Sequence, residues 1–321
     1  MAESIRNKTI LFISPQFYGY EKIITDKFRE AGASVIYYPE REDNIAYKVI
    51  NNLSPAKLAA YQESYYLRLY TKIAKQHIDY LLVIRGFLMQ EVFISKMRVR
   101  YPAARFIMHQ WDSLINYNYE YLMDSFDKVF SFDPKDCKEH SKLKYLPNFY
   151  LPQYSEVNNK INTQPIYDIS FTGWAYDNRI KLINELKRQL PQKKIYNYSY
   201  LPLGRYIINL IKGKRLKDIK TKSIPLSAVL KIVENSYSVL DIPDARQTGY
   251  TFRTIDAMAA CKKLITTNPF IKQEKFYHPD NIIIIDENNP EIDPDFFEKP
   301  FKQINVEEYS LDNWVKTIFS N

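Results

Sequence analysis

The segment at residues 237–268 constrains the fold more than any other part of the chain, because its pattern changes three times in 32 positions. A short apolar run at residues 238–242 is long enough for a buried strand and too short for a helix. A polar loop follows and ends at Gly249, one of only seven glycines in the chain. Apolar residues spaced for one helix face come next, and another apolar run starts at Leu264. The segment therefore predicts a strand, a loop, a helix and a strand, the building block of a parallel α/β sheet.

The start of this helix carries groups that suit a phosphate-bearing ligand. Thr251 and Thr254 are both plausible N-caps, and Arg253 lies between them. The first backbone N–H groups of a helix and the positive end of its dipole attract anions. A helix that leaves a glycine turn beside an arginine therefore predicts phosphate binding. The alternative is an ordinary αβ unit with a capped helix.

Residues 247–258 (QTGYTFRTIDAM), followed by residues 262–268 (KKLITTN), resemble the donor-site segment of GT-B glycosyltransferases. The similarity is greatest to the bacterial polysaccharide and CgeB-like branch. The resemblance implies an α/β protein with two Rossmann-like domains that face each other across a cleft. It also implies that the glycine turn and the helix start hold the diphosphate of a nucleotide sugar, and that an acid on the helix binds the ribose. The implied donor-binding residues are Gln247, Thr248, Gly249, Tyr250, Thr251, Arg253 and, in place of the usual Glu, Asp256.

Length and composition fit a protein of this kind. A chain of 321 residues can hold two medium domains, and 45% hydrophobic with 26% charged residues is typical of soluble globular proteins. The two cysteines, Cys137 and Cys261, are far apart, which excludes a zinc ribbon or a disulfide scaffold and fits a reducing compartment. The N-terminus has no apolar signal core, and no run approaches the roughly 18 residues of a membrane span. We therefore expect a cytoplasmic protein.

The N-terminal part predicts a βαβ unit, with strands at residues 8–14 and 34–38 around a helix at residues 21–31. The loop after the first strand is not GxGxxG, so the dinucleotide-binding motif is absent from it. In GT-B proteins this loop lies at the interdomain cleft. The resemblance thus implies that Gly19 and Tyr20 contact the acceptor, and a plain tight turn is the alternative.

A strand at residues 105–108 places a group of polar side chains at its carboxyl end, where open α/β sheets bind ligands. An inverting sugar transfer needs a base that takes the proton of the acceptor hydroxyl. Asp112 is the first candidate and His109 the second. Alternatively, Asp112 caps the following helix and His109 is a hydrogen-bonded core residue. A retaining reaction would need no dedicated base.

Residues 151–166 contain two prolines, are rich in Asn, Gln and Ser, and have no apolar period, so they predict an interdomain linker. We expect an N-terminal Rossmann-like acceptor domain over residues 1–150 and a C-terminal nucleotide-sugar donor domain over residues 167–308. A C-terminal helix over residues 309–321 is expected to pack back at the domain junction.

The second domain opens with a strand at residues 167–172, followed by Gly173, Trp174 and, in the next predicted helix, Arg179. A small residue after the strand lets the backbone approach a phosphate, and an arginine nearby neutralises charge. With the GT-B resemblance, these three residues are expected to form the other wall of the donor pocket.

Most of the net charge of +8 lies between residues 203 and 224, which contain seven Lys and Arg residues against Asp218 alone. Isoleucines and leucines alternate with these cations, as in a basic amphipathic helix on an anionic membrane surface. We therefore expect residues 205–222 to contact such a surface, at the inner face of the plasma membrane. A solvated charged face is the alternative. Nucleic acid is not expected as a partner, because no RNA- or DNA-binding signature surrounds the segment.

The sequence contains no GxSxG, HExxH or Walker motif, so hydrolase, zinc-protease and P-loop NTPase interpretations lack support. Asp293-Pro294-Asp295 matches the DxD metal pattern of GT-A enzymes, but it lies in a proline-rich loop, and we interpret it as chance. The prediction is a metal-independent glycosyltransferase with a nucleotide-sugar co-substrate and no other cofactor. Its acceptor would be a glycan or lipid-linked glycan of bacterial surface polysaccharide, lipopolysaccharide or capsule. A non-catalytic GT-B-like binding or assembly protein and a nucleotide-sugar epimerase of the same fold stay open.

Overall fold

The computed structural model describes residues 3–158, 164–214 and 217–320 of the chain. The chain divides into two compact units, each with its own parallel sheet. Unit 1 comprises Met1–Pro147 and Asp312–Asn321, and unit 2 comprises Asn148–Leu311. The last ten residues of the chain therefore belong to the unit that contains its first residues.

Unit 1 is built on six parallel strands: β1 (Thr9–Ser14), β2 (Ser34–Pro39), β3 (Tyr80–Ile84), β4 (Arg105–Gln110), β5 (Lys128–Ser131) and β6 (Leu143–Tyr145). Their order in the sheet is β2-β1-β3-β4-β5-β6. The helices of this unit are α1 (Tyr20–Glu30), α2 (Ile45–Leu53), α3 (Pro55–Lys72), α4 (Glu91–Arg100) and α5 (Pro134–Glu139). Strand β3 is buried along its whole length, as expected for a central parallel strand covered on both faces.

Unit 2 contains five parallel strands: β7 (Tyr167–Trp174), β8 (Ile195–Tyr200), β9 (Ser236–Asp241), β10 (Lys263–Thr266) and β11 (Ile282–Ile284). Their order is β11-β10-β9-β7-β8. Its helices are α6 (Pro152–Asn158), α7 (Asp177–Gln189), α8 (Leu203–Ile211), α9 (Leu226–Glu234), α10 (Phe252–Ala259) and α11 (Asp295–Glu298). A last helix, α12 (Leu311–Ile318), begins where the chain returns to unit 1.

The two sheets have the same winding. In each sheet the first strand of the unit lies between the second and the third, so β1 lies between β2 and β3, and β7 lies between β8 and β9. The direction of winding reverses between the first and third strands, and doubly wound sheets bind ligands at the carboxyl ends of the strands on either side of that switch point. The topology therefore predicts ligand binding at the carboxyl ends of β1 and β3 in unit 1 and at those of β7 and β9 in unit 2.

The sequence predicts one helix over residues 45–76 and another over residues 87–101, and the structure differs from both predictions and at a third element. The helical pattern over residues 45–76 is interrupted at Ser54, which is extended (φ −162°, ψ 126°) and accepts a hydrogen bond from the Lys57 amide at the start of α3. Pro55 in the first turn of α3 is compatible with a new helix start after Ser54.

Helix α4 begins several residues later than predicted, because residues 85–88 form a loop with positive φ angles.

The third difference is α6, which lies within residues 151–166, the stretch predicted to be a linker. Tyr154 and Val157 of α6 are buried, and the helix packs against α9 and α10. Residues 159–163 of the same stretch lie outside the described residues. The first part of the predicted linker is thus a component of unit 2.

Candidate functional site

The carboxyl ends of β7 and β9 carry an ion pair between Arg253 and Asp241. Nη1 of Arg253 donates to Oδ1 of Asp241 at 2.6 Å, and Nη2 donates to the carbonyl of Thr172 at 2.6 Å. Asp241 is fully buried, and its other oxygen accepts from the hydroxyls of Thr251 and Thr254, each at 2.8 Å. Three donors compensate the loss of hydration of this carboxylate. The sequence predicted both threonines as N-caps, but their hydroxyls bind Asp241, and α10 has no side-chain cap at Thr251.

The second predicted arginine, Arg179, reaches the same place from α7. Its Nε donates to the carbonyl of Ile242 at 2.8 Å, and its guanidinium lies 4.9 Å from the centre of the Tyr176 ring. Burial, and then the positive charge of Arg253, lower the pKa of Arg179 to about 10. The carboxylates of Asp241 and Asp244 act on the pKa of Arg179 in the opposite direction. Two guanidinium groups at the carboxyl ends of neighbouring strands have the chemistry to bind a diphosphate.

Gly173 leaves room for Arg253. A Cβ at this position would lie 3.0 Å from Nη2 of Arg253 and 3.0 Å from Cζ of Phe171. The sequence predicted a glycine for the close approach of a phosphate to the backbone. In the structure the group that approaches the backbone is the Arg253 guanidinium, so the absence of a side chain at Gly173 leaves space for that guanidinium. Phosphate binding at this position stays a prediction.

The loop before α10 is held by a side chain without a predicted role. Asn268 is buried and donates from Nδ2 to the carbonyls of Thr248 at 3.3 Å and Gly249 at 3.4 Å. Gln247 and Thr248 are half-buried, whereas Gly249 is buried. Asn268 follows β10, so the loop between β9 and α10 is fixed by the neighbouring strand.

Two of the predicted donor-binding side chains lie in the interior of unit 2. The hydroxyl of Tyr250 donates to the carbonyl of Asn148 at 2.8 Å. Asp256 is 6% exposed and is hydrogen-bonded to Tyr154 of α6, whose own pKa is raised by burial and by this carboxylate. These contacts favour structural roles for Tyr250 and Asp256. A ribose contact of Asp256 stays a prediction.

Unit 1 presents Asp112, the first candidate base, just beyond β4. Its side chain is 39% exposed, and Oδ2 lies 3.5 Å from Nη1 of Arg85. Nε of Arg85 donates to the buried carboxylate of Glu40 at 3.1 Å, and Nη2 donates to the same carboxylate. The next helical element after Asp112 is a short 3-10 helix at Glu120–Ser125, so Asp112 does not cap a helix. It is an accessible carboxylate that Arg85 orients.

Arg85 begins a loop at the switch point that the sequence prediction missed. Arg85, Gly86 and Leu88 have φ angles of 63°, 74° and 49°. The hydroxyl of Tyr117 donates to the carbonyl of Gly86 at 2.9 Å and accepts from the amide of Leu88 at 2.7 Å, and Gln110 binds the carbonyl of Arg85 at 3.0 Å. Left-handed conformations of residues other than glycine persist where surrounding groups impose them, and they concentrate at functional sites. The one sequence signal was the Arg-Gly pair after a strand.

His109 is buried and has a partner at each ring nitrogen. Nδ1 accepts from the indole N–H groups of Trp111 at 3.3 Å and Trp314 at 3.0 Å, and Nε2 lies 3.1 Å from the carbonyl of Leu146. Indole N–H groups only donate, so the ring is neutral and carries its proton on Nε2. Burial lowers the pKa of His109 to about 3. This environment favours the alternative of a hydrogen-bonded core residue over a catalytic base.

The loop after β1 contains Gly19 and Tyr20, the predicted acceptor contacts. Gly19 has a φ of 83°, is exposed and precedes α1. The Tyr20 ring is buried with its centre 6.3 Å from the Trp111 ring, whereas Phe17 and Tyr18 of the same loop are exposed. An acceptor at this loop would therefore reach Gly19, Phe17 and Tyr18 rather than the Tyr20 ring.

The described parts of the chain contain no group of three or more His, Cys, Asp or Glu residues that could hold a metal ion. In the DxD-like motif, Oδ1 of Asp293 accepts a hydrogen bond from the amide of Asp295 at 3.0 Å, at the start of α11. None of the helices in the described ranges has the length and apolar character needed to cross a membrane.

No family model and no curated protein sequence matches the chain. Solved structures match its fold. The lipopolysaccharide outer core galactosyltransferase WaaB, in its apo form, is 12% identical, with a TM-score of 0.53, over 97% of this chain and 99% of that chain. AviGT4, a glycosyltransferase of avilamycin A biosynthesis, is 9% identical, with a TM-score of 0.54, over 97% of this chain and 95% of that chain. MnaA of S. aureus, in a structure with UDP, is 9% identical, with a TM-score of 0.52, over 87% of this chain and 84% of that chain.

The predicted fold is confirmed. The chain has two parallel-sheet α/β units of six and five strands, and the structures similar to it include GT-B glycosyltransferases. At identities of 9–12% the similarity concerns the fold. The position of the chain in the CgeB-like branch stays a prediction.

Proposed function

We propose that this protein is a metal-independent GT-B glycosyltransferase that moves a hexose or related sugar from a nucleotide-sugar donor to a glycan or lipid-linked acceptor. The observation that carries the proposal is the pair of guanidinium groups, Arg179 and Arg253, beside one buried carboxylate at the switch point of unit 2. The fold agrees with this activity, and WaaB and AviGT4 bear glycosyltransferase names. WaaB also supports a place in bacterial surface polysaccharide synthesis, of lipopolysaccharide or capsule.

The donor side of the proposal rests on charge. When the bond between the sugar and the diphosphate breaks, negative charge grows on the departing phosphate oxygens. Arg253, Arg179 and the first N–H groups of α10 would stabilise this charge without a metal ion. Because Asp241 and the Thr172 carbonyl already hold Arg253 in place, little reorganisation is needed during the reaction. Unit 2 is accordingly proposed as the donor domain.

Unit 1 is proposed as the acceptor domain. In an inverting reaction Asp112 would take the proton of the acceptor hydroxyl while Arg85 keeps its carboxylate in position. In a retaining reaction this base has no task, and the role of Asp112 would be restricted to acceptor binding. The exposed loop with Gly19 would line the acceptor position.

The proposed location is the cytoplasm, at the inner face of the plasma membrane, where a lipid-linked acceptor is presented. Residues 205–222 are proposed to contact the anionic surface there. Residues 215 and 216 of this stretch lie outside the described residues. Nucleic acid has no part in the proposal.

The test begins with the melting temperature of the protein in a panel of nucleotides and nucleotide sugars. We expect at least one nucleotide sugar to raise it, and Arg253→Ala to abolish the rise. Arg246→Ala is the control, because Arg246 is exposed in the loop between β9 and α10 and pairs with the half-buried Asp244. If no nucleotide or nucleotide sugar raises the melting temperature of the wild type, the proposal is wrong.

Product analysis with the selected donor separates the alternatives. Sugar appearing on an acceptor glycan supports transfer. Conversion of the donor without an acceptor would identify an epimerase. Binding without either reaction would identify a non-catalytic binding or assembly protein.

A further inference from the structure

Helix α8 in unit 2 carries a row of uncovered aliphatic side chains. None of its residues is buried. The exposed fractions are 58% for Leu203, 46% for Ile207, 47% for Leu210 and 80% for Ile211. The spacing i, i+4, i+7, i+8 places these four side chains on one face of the helix. Amphipathic helices of globular proteins normally bury such a face, so the exposed aliphatic face of α8 indicates a binding surface.

Exposed cations accompany this aliphatic face in the sequence, within α8 and in the segment that follows it. The exposed basic residues in the described part of the segment are Arg205, Lys212, Lys214, Lys217, Lys220 and Lys222, and Asp218 is the acid among them. The backbone of Lys220 is bonded to β8, since its amide donates to Ser199 at 2.8 Å and its carbonyl accepts from Leu201 at 2.9 Å. The backbone of Lys220 is therefore fixed beside the strand that precedes α8. Apolar side chains with flanking cations are complementary to an anionic lipid surface.

We propose that α8 is the element by which this protein docks on an anionic phospholipid bilayer. The four aliphatic side chains enter the boundary between headgroups and acyl chains, and the lysines contact headgroup phosphates. This deepens the membrane contact included in the proposed function and rests on it. A second copy of the chain fits this face less well, because pairing through α8 would bring two basic clusters together. A nucleic acid would meet the cations but leave the aliphatic face uncovered.

The same helix is in contact with the candidate donor site. The guanidinium of Arg205 lies 5.2 Å from the centre of the Trp174 ring, and Trp174 stacks on Tyr176 with centroids 6.2 Å apart and planes at 21°. Tyr176 in turn lies under Arg179, and Lys214 pairs with Asp177 in the first turn of α7 at 2.5 Å. A bilayer that seats α8 would therefore lie next to the loop between β7 and α7. Membrane docking and donor binding would take place on neighbouring parts of one unit.

The experiment is flotation of the full chain with vesicles of phosphatidylcholine alone and of phosphatidylcholine with phosphatidylglycerol. We expect binding to the anionic vesicles, with roughly tenfold weaker binding for Ile207→Ser/Ile211→Ser. Replacing Lys217, Lys220 and Lys222 by glutamine is expected to weaken binding by about fivefold for each lysine. The matched control is Val99→Ser/Ile115→Ser, which removes two exposed aliphatic side chains from unit 1 and should bind as the wild type does.

Several outcomes would overturn the docking proposal: no flotation of the wild type, equal flotation with both vesicles, or unchanged flotation of Ile207→Ser/Ile211→Ser. Self-association that this double variant abolishes, without vesicle binding, would assign the face to a second copy instead. Circular dichroism checks that each variant is folded. The nucleotide-induced melting shift is measured on the same proteins. Flotation without a nucleotide-induced melting shift contradicts the proposed sugar transfer but supports membrane docking. A melting shift without flotation supports nucleotide binding but contradicts membrane docking.

Discussion

Arg253 and Asp241 form an ion pair with 2.6 Å between Nη1 and Oδ1, and the pair connects the first turn of α10 to the last residue of β9. It closes the polar loop between these elements. The second bond of Arg253, to the carbonyl of Thr172, extends the connection to β7. Asp241 thus determines where the proposed diphosphate-binding cation lies, although its own carboxylate is fully buried.

Replacing Asp241 by alanine should destabilise unit 2. The substitution leaves the Arg253 guanidinium without its carboxylate and removes the acceptor of two threonine hydroxyls. Breaking one side of a buried ion pair costs about 3–5 kcal/mol of unfolding free energy. Urea denaturation measures this change. Asp244→Ala, which removes the half-buried partner of the exposed Arg246, should change the midpoint much less. Equal midpoints for both variants would contradict the role of Asp241.

Gly173→Ala should weaken nucleotide binding while the protein stays folded. The added Cβ lies 3.0 Å from Nη2 of Arg253, so the guanidinium must move and lose its bond to Thr172. The loss of one charge-assisted hydrogen bond corresponds to about a tenfold weaker affinity for the nucleotide found by thermal shift. Titration calorimetry measures it.

The matched control for this substitution is Gly204→Ala, because a Cβ there meets nothing within 4 Å. This control should leave nucleotide affinity unchanged. If Gly173→Ala binds the nucleotide as tightly as Gly204→Ala does, Arg253 does not depend on the glycine.

His109 should make stability depend on pH in a defined direction. Burial lowers its pKa to about 3 in the folded protein, whereas an unfolded chain has a histidine pKa of about 6.5. Between these values the unfolded state binds the extra proton, so the contribution of His109 is complete above pH 6.5 and is lost as the pH falls. From pH 6.5 to pH 5 the loss is about 1.5 kcal/mol.

Urea denaturation at several pH values measures this loss. His109→Gln, which cannot take up a proton, should show a correspondingly smaller decrease between pH 6.5 and pH 5. An identical pH dependence in the wild type and in His109→Gln would show that the proton is bound elsewhere.

The sequence predicted the strands and the two α/β units, because these follow from local apolar patterns. That Arg179 and Arg253 belong to one donor pocket is what the GT-B resemblance implies, and it stays a prediction. The sequence did not predict that Asp241 would hold Arg253, since that contact joins side chains on opposite sides of a polar loop. Such pairings depend on how the loop is folded, and residue spacing does not encode this.

Tyr250 and Asp256 show another limit of the sequence. Both belong to the motif that resembles a donor site, yet Tyr250 binds Asn148, and Asp256 binds Tyr154 of α6. Helix α6 lies in a stretch without an apolar period, so nothing local indicated that it would cover α10. The left-handed conformation of the loop at residues 85–88 could not be predicted either, because Tyr117 and Gln110, whose hydrogen bonds hold the loop, are distant from it in sequence.

Asp112→Asn should reduce sugar transfer without affecting nucleotide binding. The substitution preserves size and removes the basic oxygen, so an inverting enzyme should lose roughly a hundredfold to ten-thousandfold in kcat. The melting shift with nucleotide should stay as in the wild type, because Asp112 lies in unit 1 and the proposed donor residues lie in unit 2. Asp124→Asn, whose side chain is 99% exposed in the same unit, is the control and should be fully active. Sugar transfer by Asp112→Asn at the wild-type rate would show that Asp112 is not the base. The anomeric configuration of the product would then show whether the reaction is retaining and needs no base.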